Sequence, residues 1–146
     1  MARAVIDAST LMAALLPGEP TKRAAREILE RFTDDLLQLI APTLLSYEVA
    51  NSLLKAERKP ERGVSKEAVD AILEELDRLG ITLVPVSMEE MIAMARRYDR
   101  WAYDASYLAL AEREGIPLIT ADKRLYNAVK KRFDKVVWVE DYADKY

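Results

Sequence analysis

Five short apolar runs, separated by segments of helical periodicity, constrain this chain more than any other feature. The runs are Arg3 to Asp7, Leu36 to Ala41, Ile81 to Val86, Pro117 to Thr120 and Val136 to Val139. They do not alternate apolar with polar residues, so they do not suit strands with one wet face. A strand that is apolar throughout needs cover on both sides, the condition of a parallel sheet inside helices.

The intervening segments supply those helices. Ala25, Ile28, Leu29 and Phe32 form an apolar stripe in a helix starting near Thr21, and a further helix is expected from about Thr43 to Arg58. Ser65 is placed to cap a helix whose inner face is Val69, Ile72, Leu73, Leu76 and Leu79, with Gly80 as its stop. Ser87 and Glu90 form a capping box for the next helix. Asp104 is expected to cap a helix to Glu114 that is apolar almost all round, hence buried and closely packed. Ser9 and Thr10 are expected to cap a helix over Leu11 to Leu16. Asp122 should open one to about Phe133, and the residues after Val139 read as a polar tail. The alternation predicts an α/β fold with a parallel five-stranded sheet flanked by helices on both faces. With 146 residues, no repeat and no linker, residues 1–146 are expected to form one domain.

Composition removes whole classes of chemistry. The chain has no cysteine and no histidine. Disulfides, thiol nucleophiles, Ser-His-Asp triads and zinc sites built on Cys or His are therefore excluded. A metal would need oxygen ligands, which favours Mg²⁺, Mn²⁺ or Ca²⁺. No apolar run is long enough to span a membrane, and the N-terminus lacks the pattern of a signal peptide, so a cytoplasmic protein without membrane attachment is expected. The net charge of −3 does not advertise nucleic-acid binding, but the positive charge is clustered. The high share of charged residues and scarcity of amides are a bias also seen in proteins from hot environments.

Four acids stand where strands end or helices begin or run. They are Asp7 in V-I-D-A-S-T, Glu48 in S-Y-E-V-A-N, Asp104 in Y-D-A-S-Y-L-A-L-A and Asp122 in L-I-T-A-D. Singly, each reads as a cap, a turn or a solvated face. As a set they lie where an open α/β sheet forms its crevice, beyond the C-terminal ends of the strands. Two carboxylates ~5 Å apart repel by about 3 kcal/mol at an effective dielectric of ~20, so four together call for a cation or shifted acidities.

These four signatures, in this order and on this α/β pattern from Val5 to Val139, resemble those of PIN-domain ribonucleases, in particular the VapC-like toxins of bacteria and archaea. The resemblance implies a single PIN-like domain and a metal-dependent endoribonuclease. Asp7, Asp104 and Asp122 would hold Mg²⁺ or Mn²⁺, and Glu48 would complete the catalytic site directly or through water. Ser9, Asn51 and Thr120 would fix the carboxylates. It also implies an RNA substrate, a small antitoxin protein as partner, and a homodimer.

Lys123 and Arg124, beside Asp122, are candidate phosphate contacts, as is Arg100 ahead of Asp104. Trp101 reads as a core residue at a helix end rather than as a stacking platform for bases. The basic run Lys130, Lys131, Arg132 and Lys135 reads as a solvated helix end. A phosphatase of the aspartyl-nucleophile kind would show a second acid two residues after Asp7, where Ser9 stands. A receiver domain would show a partner acid before Asp7, where Ala4, Val5 and Ile6 stand. With only four glycines, the sequence has no glycine-rich loop of the kind a dinucleotide site needs. The competing reading from another class is a non-catalytic PIN-like interaction module; degenerate members of such families lose acids, and this chain keeps all four.

Overall fold

The computed structural model describes residues 1–146. Five parallel strands, β1 (Ala2–Ile6), β2 (Leu37–Pro42), β3 (Thr82–Val84), β4 (Leu118–Thr120) and β5 (Val136–Trp138), form one sheet in the order β3-β2-β1-β4-β5. The chain builds outward from β1 to β3, then crosses back and builds β4 and β5 on the other side. That reversal puts the topological switch point between β1 and β4, which pair through Val5–Leu118 and Ile6–Ile119. A crevice opens at this point of an open α/β sheet.

The helices are α1 (Ala8–Leu15), α2 (Lys22–Thr33), α3 (Leu45–Arg58), α4 (Lys66–Leu79), α5 (Met88–Tyr98), α6 (Ala102–Glu114), α7 (Lys123–Val129) and α8 (Val139–Lys145). Successive residues Ala4, Val5 and Ile6 are all wholly buried. Successive side chains of a strand point to opposite faces, so both faces of the sheet are covered. Helix α6 packs on β1, β2 and β4, with α5 against it, while α2 and α8 pack together over β2, β4 and β5. The expected burial of α6 is realised: every residue from Ala105 to Ala111 is buried. The capping box of Ser87 and Glu90 closes in both directions, and Gly80 ends α4 in the left-handed region at φ +62°.

Several local expectations are corrected. Helix α1 starts at Ala8, and its cap is Asp7 rather than Ser9 or Thr10: Asp7 accepts from the Thr10 N–H. Helix α6 starts at Ala102 with Trp101 in the cap position, which leaves Asp104 inside its first turn. Of the expected inner face of α4, Val69 and Ile72 are buried and Leu76 and Leu79 pack partly buried against the core, whereas Leu73 is 46% exposed. Helix α7 stops at Val129, short of Phe133. Trp101 is 84% exposed and so is no core residue. The tail is helix α8, which buries Val139, Tyr142 and Ala143.

Candidate active site

Asp7 follows β1 without an intervening residue, and its backbone N–H bonds to the Ile119 carbonyl of β4. The carboxylate is therefore fixed at the switch point. It is only 4% exposed and collects four donors. Oδ1 accepts from the Ser9 hydroxyl at 2.7 Å, the Thr10 N–H at 3.0 Å and the Thr10 hydroxyl at 3.1 Å, whose one proton is shared with the Ile119 carbonyl at 3.2 Å, and Oδ2 accepts from the Thr120 hydroxyl at 2.6 Å. Thr120 accepts from the Asp122 N–H, and Ser9 accepts from the Ala121 N–H, each at 3.0 Å. This hydroxyl lacing ties the end of β1 to the end of β4. Each hydroxyl has one proton, and both are committed to Asp7, so the 3.4 Å contact between Ser9 and Thr120 adds no further bond.

Burial still outweighs the donors. Asp7 is raised from an ordinary 3.8 to about 6, with desolvation as the leading cause and the Thr120, Ser9 and Thr10 hydrogen bonds opposing it. Thr120→Val removes the shortest of those bonds. Its cost should be roughly 1.5–3 kcal/mol where Asp7 is charged, at about pH 8, and smaller at about pH 5, where the carboxyl is largely neutral. Urea unfolding at the two pH values checks the difference.

The other three acids reach the same cleft from different elements. Glu48 lies in the first turn of α3, Asp104 in the first turn of α6, and Asp122 caps α7. All four line one cleft of about 810 Å³. Burial raises the pKa of Glu48; the Tyr107 hydroxyl opposes that shift, and the negative charges of Asp104 and Asp122 add to it. Each acid keeps capacity to accept. Asp122 uses Oδ1 for the Arg124 and Leu125 N–H groups, and Asp104 uses Oδ2 for both Nε and Nη2 of Arg100, at 3.2 and 2.9 Å. Oδ2 of Asp7 carries a single donor.

The donor set is all oxygen, which fits a hard divalent cation and no softer one. The spacing is open: no three acids are placed to hold one metal ion between them. Asn51 and Lys55 follow Glu48 along the same face of α3 and line the cleft, but Asn51 donates to none of the four acids. Exposed Lys55, Lys59 and Lys123 also line the cleft, together with Arg62, which is paired with Glu19, and with Glu140. The Lys123 ammonium rests 4.2 Å from the centre of the Trp138 ring, while Arg100 is held by Asp104 and Arg124 is exposed. Thr10 and Tyr107 were not among the expected site residues. Thr10 was legible as the third residue of a helix capped by Asp7, and Tyr107 as the residue one turn beyond Asp104.

The PIN domain family model matches residues 4–131 of this chain. The chain belongs to the PIN-domain family. Among curated members it is 36% identical over 126 residues to Ribonuclease VapC3 of Pyrobaculum aerophilum, covering 83% of this chain and 90% of that one. It is 35% identical over 123 residues to Ribonuclease VapC9 of Mycobacterium tuberculosis, covering 83% and 87%. The crystal structure of PAE2754 from Pyrobaculum aerophilum shares the fold at a TM-score of 0.65 and 22% identity, over 99% of this chain and 96% of that one. The parallel sheet and helical layers expected from the sequence are thus those of a PIN domain, and the resemblance to VapC-like proteins holds. No helix of this PIN domain is long and apolar enough to cross a membrane.

Proposed function

We propose that this PIN-domain protein is a divalent-metal-dependent endoribonuclease, the toxin of a toxin–antitoxin pair. The observation that carries the reading is the meeting of four acids from four separate elements in one cleft that exposed lysines also line. An acidic cleft alone repels RNA; with a cation among the acids and lysines alongside, it suits a phosphodiester. The names of the VapC ribonucleases to which the chain is similar support RNA as the substrate.

Asp7, Asp104 and Asp122, which are not gathered around one point in this structure, would draw together on Mg²⁺ or Mn²⁺, with Glu48 completing the site. When bound, the ion would supply Lewis acidity and lower the pKa of a coordinated water. Ser9, Thr10 and Thr120 hold the Asp7 carboxylate in one orientation. Arg100 would release Asp104 on metal binding and become free to meet a phosphate. Lys123 and Arg124 at the start of α7 would hold the RNA backbone, and Lys123 is already braced on Trp138. Asn51 would contribute as a neutral donor from α3.

Chelation supplies the test. With EDTA, cleavage of a single-stranded RNA should fall to background, and excess Mn²⁺ should restore it; a fluorescent oligonucleotide assay reads both. Cleavage that persists in EDTA contradicts the metal requirement. A non-catalytic interaction module would instead show no cleavage with any divalent ion.

A homodimer and an antitoxin partner complete the proposal. Tyr47, Met88 and Tyr103 are each more than half exposed, and Tyr47 and Tyr103 line a second, mainly apolar cleft with Leu44, Val86 and Met91. Exposed apolar surface of this kind marks interfaces. Residues 1–146 would act as one folding unit in a cytoplasmic protein. Light scattering on the purified chain checks the dimer.

A further inference from the structure

Tyr107 lines the acidic cleft and has no part in the chemistry set out above. It lies three residues beyond Asp104 on α6, a spacing that puts both on one face of the helix. The residue is 2% exposed, yet its buried hydroxyl closes no hydrogen bond. The only other buried side-chain polar atom so placed is an Arg31 nitrogen, remote in sequence from the cleft residues. Buried polar groups in native proteins almost always have partners, so an orphan at the wall of a cleft points to a partner that arrives with a ligand.

Its surroundings say which partner. The Glu48 and Asp7 carboxylates and the Ala8 N–H act on the hydroxyl. A phenol is neutral at working pH, so the hydroxyl meets the neighbouring carboxylates as an O–H donor. From the other side, the Tyr107 hydroxyl is the one donor that acts on Glu48, although the pair stands short of a closed hydrogen bond. Asp7 is already served by four donors, whereas Glu48 hangs from α3 on a flexible side chain.

We propose that Tyr107 is a positioning residue whose hydroxyl closes a hydrogen bond on Glu48 when a divalent cation enters the cleft, fixing that carboxylate toward the ion. The proposal rests on the metal-dependent reading of the cleft. A donor on one oxygen leaves the other free for the cation and removes rotational freedom that binding would otherwise have to freeze.

Calorimetric titration of the full chain with Mn²⁺ tests it, using Tyr107→Phe, Glu48→Gln and the double variant. Tyr107→Phe removes one oxygen and keeps the ring, so the thermal midpoint without metal should be unchanged. Its Mn²⁺ affinity should fall about tenfold, the lower end of what partners of metal ligands contribute. In the Glu48→Gln background the same substitution should cost no further affinity, because Tyr107 acts through Glu48. Wild-type Mn²⁺ affinity in Tyr107→Phe overturns the proposal alone. So does an equal loss in the Glu48→Gln background, or a lowered midpoint without metal, which would mark a structural role. A wild type that binds no Mn²⁺ overturns it together with the reading of the cleft.

Discussion

Asp7→Asn should abolish RNA cleavage and at the same time stabilise the fold. The two effects have one cause. Folding raises Asp7 from 3.8 to about 6 because burial outweighs its four donors. Between those values the folded chain holds a proton that the unfolded chain has lost, so this group's contribution to stability falls as pH rises through that window. Above it, the ionised carboxylate costs about 2–3 kcal/mol relative to an unperturbed one. Asparagine cannot ionise and caps a helix as well as aspartate does, so Asp7→Asn should gain about 2 kcal/mol near neutral pH. Near pH 4 the gain should vanish, since wild-type Asp7 is then protonated in the fold. Urea unfolding across pH measures both. Cleavage should fall by more than a hundredfold, because loss of a mere partner to a metal ligand already costs about 10–100-fold. A fold that gains stability by losing a charge is holding that charge for its chemistry. An Asp7→Asn variant that cuts RNA at the wild-type rate would remove Asp7 from the site.

Tyr142→Ala should have the largest effect on stability, with no effect on the chemistry. Tyr142 is among the largest fully buried side chains, and α8 packs on α2, β4 and β5. Truncating a buried aromatic residue costs about 3–5 kcal/mol. The thermal midpoint should drop by roughly 10 °C, read by circular dichroism. Tyr142 does not line the cleft, so cleavage per folded molecule at low temperature should match the wild type. A midpoint unchanged by the substitution would contradict the placement of α8 in the core.

That helix also shows where sequence reading fell short. The last residues are mostly charged, which suggested a polar tail. Yet Val139, Tyr142 and Ala143 follow the i, i+3, i+4 spacing of a helix with one buried stripe, so the pattern was there at low density. The family match ends at residue 131, so α7 and the cleft's Asp122 lie within it and α8 lies beyond it. The strands were legible because an all-apolar run has few places to go except a covered sheet. The exposure of Trp101 was not, because a large aromatic residue beside a helix start carries no local sign of which way it faces.

In the cleft, Asp7 was legible because it follows an apolar strand directly, and Ser9 and Thr120 because they flank strand ends. Asp104 was placed at a helix cap, but the helix begins earlier and Arg100 takes its side chain instead. Such pairings depend on helix phase and on rotamers, which a boundary uncertain by one or two residues cannot fix. The orphan hydroxyl of Tyr107 is a property of three-dimensional packing alone. The spacing from Asp104 puts Tyr107 on the cleft side of α6, but nothing in the order of residues shows that its hydroxyl is left without a partner.

We propose that Asp7, Asp104 and Asp122, with Glu48, close around a divalent cation that they are not gathered to hold without it. A crystal soaked in Mn²⁺ and measured at the manganese absorption edge tests it most directly. An anomalous peak is expected in the cleft within ligand distance of Asp7, Asp104 and Asp122, with Arg100 released from Asp104. A fully soaked crystal with no peak among these carboxylates, and Arg100 still paired with Asp104, would contradict it.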